Sequence, residues 1–355
     1  MNDAIKSRHA GFSLVELMIA IGLGLIVVAG VLVVFLAQRQ VYQAASSQAL
    51  IQDADNALSA IITPVIRGAG FTGCGTIGNG IRNYATGLPT SLTFNTSSAI
   101  RGFKANVQPA SLIDGAANDL TATDWTPTLD SSFISAGGVE KGSDVLVLIG
   151  ATPLTSPVGV TSFNAGSITV SNAAAAGLSN KPQMIALSDC GKSSAFQMTS
   201  LVGNVVGYAV GPNGTPSYPI GSQLIPLQQT AFFVARGDAG QSALFEGVMS
   251  IPAGGAAASA WSIQELVPGV SSMQVLYGNG INGQTTQYVA ADAVTNWSAV
   301  TSVKIGFLIE GNQASSAAST NLQTFNLFGV AVAVPEDSRL RHTYFMTVNS
   351  RNTTL

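Results

Sequence analysis

Charge is what this chain has least of. Only 9% of its 355 residues are Asp, Glu, Lys or Arg, against roughly a quarter in soluble domains. The 15 basic residues stand singly against 18 acidic ones, for a net charge of -3, so no basic stripe offers itself to nucleic acid. Histidine is almost absent, with only His9 and His342 present. A serine triad or a His-rich metal site has little to draw on, and no catalytic, cofactor-binding or metal site is expected. Cysteine is limited to Cys74 and Cys190, which leaves one possible intramolecular pair. No internal repeat or separate linker stands out, and Ala253 to Ala260, low in complexity, reads as a loop.

What is present is a long apolar run near the N-terminus. No residue from Leu17 to Ala37 is charged. Phe12 to Leu36 as a helix would be about 37 Å long, enough to cross a hydrocarbon core of about 30 Å with some tilt. A cleaved secretory signal has a shorter apolar core and a small-residue cleavage site. Here the run ends in Phe35-Leu36-Ala37-Gln38-Arg39, so the anchor is expected to be retained. The leader, residues 1–11, carries Lys6 and Arg8 against Asp3, whereas the far flank offers only Arg39 close to the membrane. That asymmetry keeps the N-terminus in the cytoplasm and exports everything after Gln38. Glu16 breaks the apolar pattern, and a carboxylate inside a spanning segment costs roughly 2.5 to 3.5 kcal/mol unless it finds a partner or reaches water.

Gly11-Phe12-Ser13-Leu14-Val15-Glu16-Leu17 resembles the type IV prepilin cleavage site, the class III signal shared by pilins and type II secretion pseudopilins. The resemblance implies that a prepilin peptidase cuts after Gly11 on the cytoplasmic side and methylates the new N-terminal Phe12. Glu16 then becomes the fifth residue of the mature chain, with a role in assembly. The same resemblance predicts an α+β fold, in which a long N-terminal helix packs on a mainly antiparallel β-rich head. Its parts would be the leader (1–11), the transmembrane half of the helix (12–37), an exported amphipathic half (38–67) and the head (68–355).

The exported half is also visible in the residues themselves. Ile51, Ala54, Leu58, Ile61 and Val65 recur at three- and four-residue steps, while Gln52, Asp53, Asp55 and Asn56 lie off that stripe. Pro64 predicts a kink or an end, with Gly68 or Gly70 as the stop signal. Beyond Gly70, short β-type runs alternate with Gly, Pro, Asn and Ser. The expected strands are Ser91 to Phe94, Asp144 to Ile149, Ser167 to Val170, Met184 to Leu187, Thr230 to Ala235, Met273 to Tyr277, Val300 to Ile309 and Phe325 to Val334. Val107 to Gly138 lacks periodicity and reads as a long surface excursion. Gly278-Asn279-Gly280-Ile281-Asn282-Gly283 reads as a hairpin turn.

A narrower resemblance covers the exported part. Arg67 to Cys74, Asp189-Cys190, Leu266-Val267-Pro268-Gly269-Val270, Trp297 with Val303-Lys304-Ile305, and the ending from Arg339 to Asn352 are similar to minor pilins of the PilW type. This implies a non-enzymatic subunit that initiates or caps a pilus. Its partners would be the prepilin peptidase, other minor pilins, the major pilin and the bacterial inner membrane, with the head in the periplasm and later on the pilus. Adhesion, twitching or DNA uptake would follow from assembly. A type II secretion pseudopilin is the alternative, and a membrane-anchored adhesin or hydrolase is a second.

An exported location lets Cys74 and Cys190 form a disulfide. Closing about 115 intervening residues would stabilise by up to about 5 kcal/mol on a chain-entropy estimate. Three other motifs dissolve on inspection. Gly191-Lys192-Ser193 resembles the end of a phosphate-binding loop, but Ala186 stands where the first glycine is required, so it reads as a polar turn. Arg236-Gly237-Asp238 spells an adhesion tripeptide but follows a strand, where Gly-Asp is ordinary turn chemistry. The 279–283 turn lacks the carboxylates that calcium prefers.

Overall fold

A 55-residue helix, α1 (Leu14–Gly68), opens the part of the chain described by the computed structural model, which covers residues 13–74, 77, 81–84, 98–107, 120–152, 155–179, 183–209, 216–238, 240–250, 260–281, 284–315 and 323–351. At 1.5 Å per residue, α1 is about 83 Å long. Its first half stands clear of the rest of the protein and its second half is seated, with Ser47, Ile51, Ala54, Leu58, Ile62 and Ile66 buried. The stripe differs from expectation in its last turns. Ile61 and Val65 are half-buried, and Ile62 and Ile66 take the innermost positions. The helix runs through Pro64 and ends four residues later at Gly68.

The strands follow in order: β1 (Ile81–Asn83), β2 (Ile100–Ala105), β3 (Trp125–Thr126), β4 (Val145–Ala151), β5 (Val158–Asn164), β6 (Ser167–Val170), β7 (Gln183–Ser188), β8 (Ser193–Val202) and β9 (Val205–Tyr208). Then come β10 (Gln223–Arg236), β11 (Ser242–Ser250), β12 (Ala260–Pro268), β13 (Val270–Ile281), β14 (Gln284–Val289), β15 (Val300–Ala314), β16 (Gln323–Leu327), β17 (Val330–Val334) and β18 (Arg339–Asn349). A short helix, α2 (Ser131–Gly137), lies between β3 and β4. The architecture is α+β, one long apolar helix with a large antiparallel β-rich region.

Among the described residues, twelve strands form one sheet and four form a second, ordered β14-β13-β15-β18, while β16 and β17 form a separate hairpin. The 14-residue β10 organises the larger sheet, pairing antiparallel with β4, β5, β7 and β11 along its length. The seated half of α1 packs mainly on β15 and β18 of the four-stranded sheet. Close approach there needs a glycine, because a Cβ at Gly311 would lie 2.8 Å from that of Ser47. His342 on β18 adds a polar contact, with its Nε2 3.7 Å from Asp55 on the helix. One core unites Leu58, Ile62 and Ile66 of α1 with Leu148 and Phe232 of the larger sheet and Ile305 and Phe307 of the smaller.

Several expected strands occur with longer bounds than predicted, while Ser167–Val170 occurs as expected. Phe325 to Val334 is not one strand. It folds back at Phe328 (φ 55°) and Gly329 (φ 90°) into β16 and β17. The 278–283 turn is also narrower than expected, since Gly278 to Ile281 belongs to β13 and Ile281 pairs with Gln284. Val107 to Gly138 is not wholly a surface excursion. Trp125, Leu129 and Phe133 are buried in a satellite core with Phe103 and Phe233, and their apolar surface outweighs the polar residues around them. Ser91 to Phe94 and residues 253–259 lie outside the described residues.

Candidate functional site: the helix and its seat

Ser13 caps α1 in an extended conformation, and its carbonyl accepts hydrogen bonds from the amides of Glu16 (3.0 Å) and Leu17 (3.1 Å). Glu16 therefore sits in the first turn, where the positive end of the helix dipole favours a carboxylate. Gly11, Phe12 and the leader lie outside the described residues. From Leu14 to Tyr42 the large apolar side chains are exposed, and the most apolar 18-residue window has 0% of its residues buried within the protein. A surface of this kind is stable in water only if lipid or other helices cover it.

The other predicted pair does meet. Cys74, just past the helix, bonds Cys190 in the β7–β8 turn, with Cα atoms 4.9 Å apart. Cys190 takes a positive φ of 65°, and the Asp189 carboxylate accepts from the amides of Gly191 and Lys192. Gly191-Lys192-Ser193 thus belongs to a tight turn leading into β8, consistent with its reading as ordinary turn structure.

Three polar clusters were invisible in the sequence because their members are far apart along it. Where the two sheets meet, Asp144 is buried; its Oδ1 accepts from the Ala105 amide (2.9 Å) and its Oδ2 from the Val275 amide (2.8 Å). Lys104 Nζ lies 3.2 Å from Oδ1 and also donates to Gln274. Burial pushes the Asp144 carboxyl up, and Lys104 and the two amides offset that only in part. At the β15–β18 end, the Arg341 guanidinium grips Asp337 at 2.7 and 2.8 Å and Glu310 at 3.0 Å. Burial would raise the Asp337 carboxyl, but hydrogen bonds from Arg341 and the Arg339 amide, with both guanidinium charges, hold it below its ordinary value.

Beside that network, a polar cleft of about 230 Å3 between the sheets contains Glu140 and Arg236. Arg236, the first residue of the adhesion-like tripeptide, is thus part of this cleft's wall. Burial raises the Glu140 carboxyl from its ordinary 4.5, Ser242 and Arg236 draw it down, and Glu310 adds to the rise. A carboxyl raised in the folded state stabilises in acid and loses that contribution as pH climbs past its unfolded value and through its folded one. Glu140→Gln is therefore expected to melt about 1 to 3 °C above the unsubstituted chain at pH 7.5, with the difference fading toward pH 4. Scanning calorimetry across that range checks the sign, and a difference that grows in acid contradicts it.

Residues 6–32 match the family model described as the prokaryotic N-terminal methylation motif, and residues 231–352 match that of PilW, type IV pilus-assembly protein W. The chain is a type IV pilus-associated pilin, similar to PilW over residues 231–352. The first match contains Gly11, Phe12 and Glu16 and runs into the bare half of the helix. The second begins within β10 and contains all four strands of the sheet on which the helix of this pilin is seated. Of the short PilW-like patches, those from Leu266 onward fall inside the second match, whereas Arg67 to Cys74 and Asp189-Cys190 fall outside both. No curated protein and no solved structure matches the chain. The motif and the apolar helix together mark this pilin as membrane-anchored.

Proposed function

We propose that this pilin is a minor type IV pilin, a structural and non-enzymatic subunit that helps initiate or cap a pilus with other minor pilins and the major pilin. The observation that carries the reading is the division of α1. A methylation motif opens a helix that is apolar and uncovered over its first half, while its second half is buried in a PilW-like seat. A bare apolar helix of this length suits storage in the inner membrane and then packing against other helices in a filament. The prepilin peptidase would cut between Gly11 and Phe12 and methylate Phe12, leaving the anchor in the product with the head in the periplasm. The matched family is one of type IV pilus assembly, which favours the pilus over a secretion pseudopilin.

Within this reading, Glu16 has its charge compensated after cleavage. The new amine at Phe12 would stand four residues before Glu16 in the chain, and an ion pair with it, in the same chain or a neighbour, would offset the desolvation of the carboxylate. Two measurements test the assignment. Gly11→Leu is expected to abolish the loss of the first eleven residues, read as the mass of the membrane-bound chain. Glu16→Gln and Glu16→Ala are expected to leave membrane insertion intact while lowering recovery in sheared pili several-fold. Normal processing of the first variant, or full pilus recovery of the other two, overturns the corresponding role.

A further inference from the structure

Where α1 leaves the four-stranded sheet, it is joined to the larger sheet by backbone. The Gly70 amide donates to the Ile149 carbonyl at 2.7 Å, and Ala69 bridges Gly150. Contact here is close, since a Cβ at Gly150 would lie 2.7 Å from the Gly68 carbonyl oxygen. Beside this junction an open cleft of about 890 Å3 runs along Ser59 to Gly68, floored by β4 and β10 and bounded by Phe71 and Arg351. Ten helical residues span about 14 Å, the length of about four extended residues.

The chemistry of the walls narrows what fits. Ala60, Pro64, Phe71 and Ala151 give apolar surface, and Gln228 gives a polar point on the floor. Pro64 has no amide hydrogen, so the Ala60 carbonyl on the cleft wall loses its helical donor. Arg67 and Arg351 are the charged residues among the described lining, which holds no carboxylate. Arg67 has a contact of its own, so Arg351 is the cation on which the balance rests, and its guanidinium outweighs the roughly half negative charge at the carboxyl end of α1. The fitting occupant therefore has apolar side chains, a backbone or side-chain donor for the Ala60 carbonyl, and a carboxylate for Arg351.

We propose that this cleft is a subunit contact that seats a short acidic, apolar-sided segment of another pilin. The inference rests on the pilin reading above, and it adds the location of the contact and the chemistry of the partner segment. Its position at the far end of the seated helix half keeps it free while the bare half lies in lipid. An arginine near the rim gives such a contact its association rate and salt dependence, and the apolar wall gives it area.

The test uses the full chain in its own membrane, beside the pilins it normally assembles with. A benzophenone amino acid at Thr63 is the probe, and one at Val202, 75% exposed at the β8–β9 end, is the control. Thr63 is expected to crosslink to an identified pilin other than this chain, at a segment that mass mapping shows to contain Asp or Glu among apolar residues. Arg351→Glu is expected to cut that adduct about tenfold, and Ala60→Arg, which fills the cleft from an exposed helix position, to abolish it. Sheared-pilus recovery of the unsubstituted chain is measured in parallel. Recovery in pili without a Thr63 adduct overturns the cleft and leaves the pilin reading standing. Absence from pili overturns both. An adduct to a second copy of this chain or to lipid, one matched by the Val202 control, or one indifferent to Arg351→Glu also overturns the proposal.

Discussion

Asp144→Ala is expected to destabilise the protein by about 3 to 5 kcal/mol, read as a lower urea midpoint of the purified chain, because it leaves a largely buried ammonium without its counter-charge. The cost has identifiable parts. Lys104 loses a partner at 3.2 Å in a site where the carboxyl side chain is 3% exposed and the ammonium side chain 17%. The amides of Ala105 and Val275 lose their acceptors, and each unpaired buried amide costs roughly 1 to 3 kcal/mol if water cannot reach it. These groups tie β2, the start of β4 and β13 together, so the loss falls on the joint between the two sheets. Asp144→Asn keeps one acceptor and is expected to cost less. Lys104→Met with Asp144→Leu removes both charges and is expected to regain part of the loss. A double variant no more stable than Asp144→Ala would show that packing, not charge, holds this joint.

Cys74→Ser is the second large effect. The bond spans 116 residues of sequence and ties the end of α1 to the turn between β7 and β8. Its removal is expected to cost about 2 to 5 kcal/mol, mostly by freeing the unfolded chain. Cys190 would then label with a thiol reagent in the folded protein. If both cysteines of the unsubstituted protein label without reductant, the bond does not form in solution. Adding dithiothreitol to the unsubstituted protein should reproduce most of the shift in melting temperature, which separates loss of the bond from any effect of the serine itself.

The sequence could announce the helix because helix signals are local. An uncharged run from Leu17 to Ala37 and a stripe at three- and four-residue steps need no distant partner to be read. Pro64 is legible as a perturbation and Gly68 as a stop, and the helix does end at Gly68, just before the Gly70 amide hydrogen-bonds the Ile149 carbonyl. The exchange of Ile61 and Val65 for Ile62 and Ile66 as the innermost residues has a tertiary cause. The stripe gives a face, and the sheet it meets decides which edge of that face lies deepest.

Strands were harder to read for a physical reason. A strand such as β8 is stabilised by its neighbours and is buried on both faces over its first six residues, so Ser193 to Val202 carries little alternation of its own. The segment after Val107 shows no local sign of burial because the core that takes Trp125 and Phe133 is completed by Phe233 and Trp261, more than 90 residues away in sequence.

By itself, then, the sequence determined the anchor, the processing-site resemblance, the α+β class and the single cysteine pairing available. Each rests on composition, on residues adjacent in the chain or on a count. Only the tertiary structure decided where the helix is seated, that Lys104 and Asp144 pair beneath β13, that Arg341 gathers Glu310 and Asp337, and that a cleft opens beside Pro64. Those features are made from side chains whose separation in sequence is set by loops, and loop length carries almost no information about what the ends of a loop will touch.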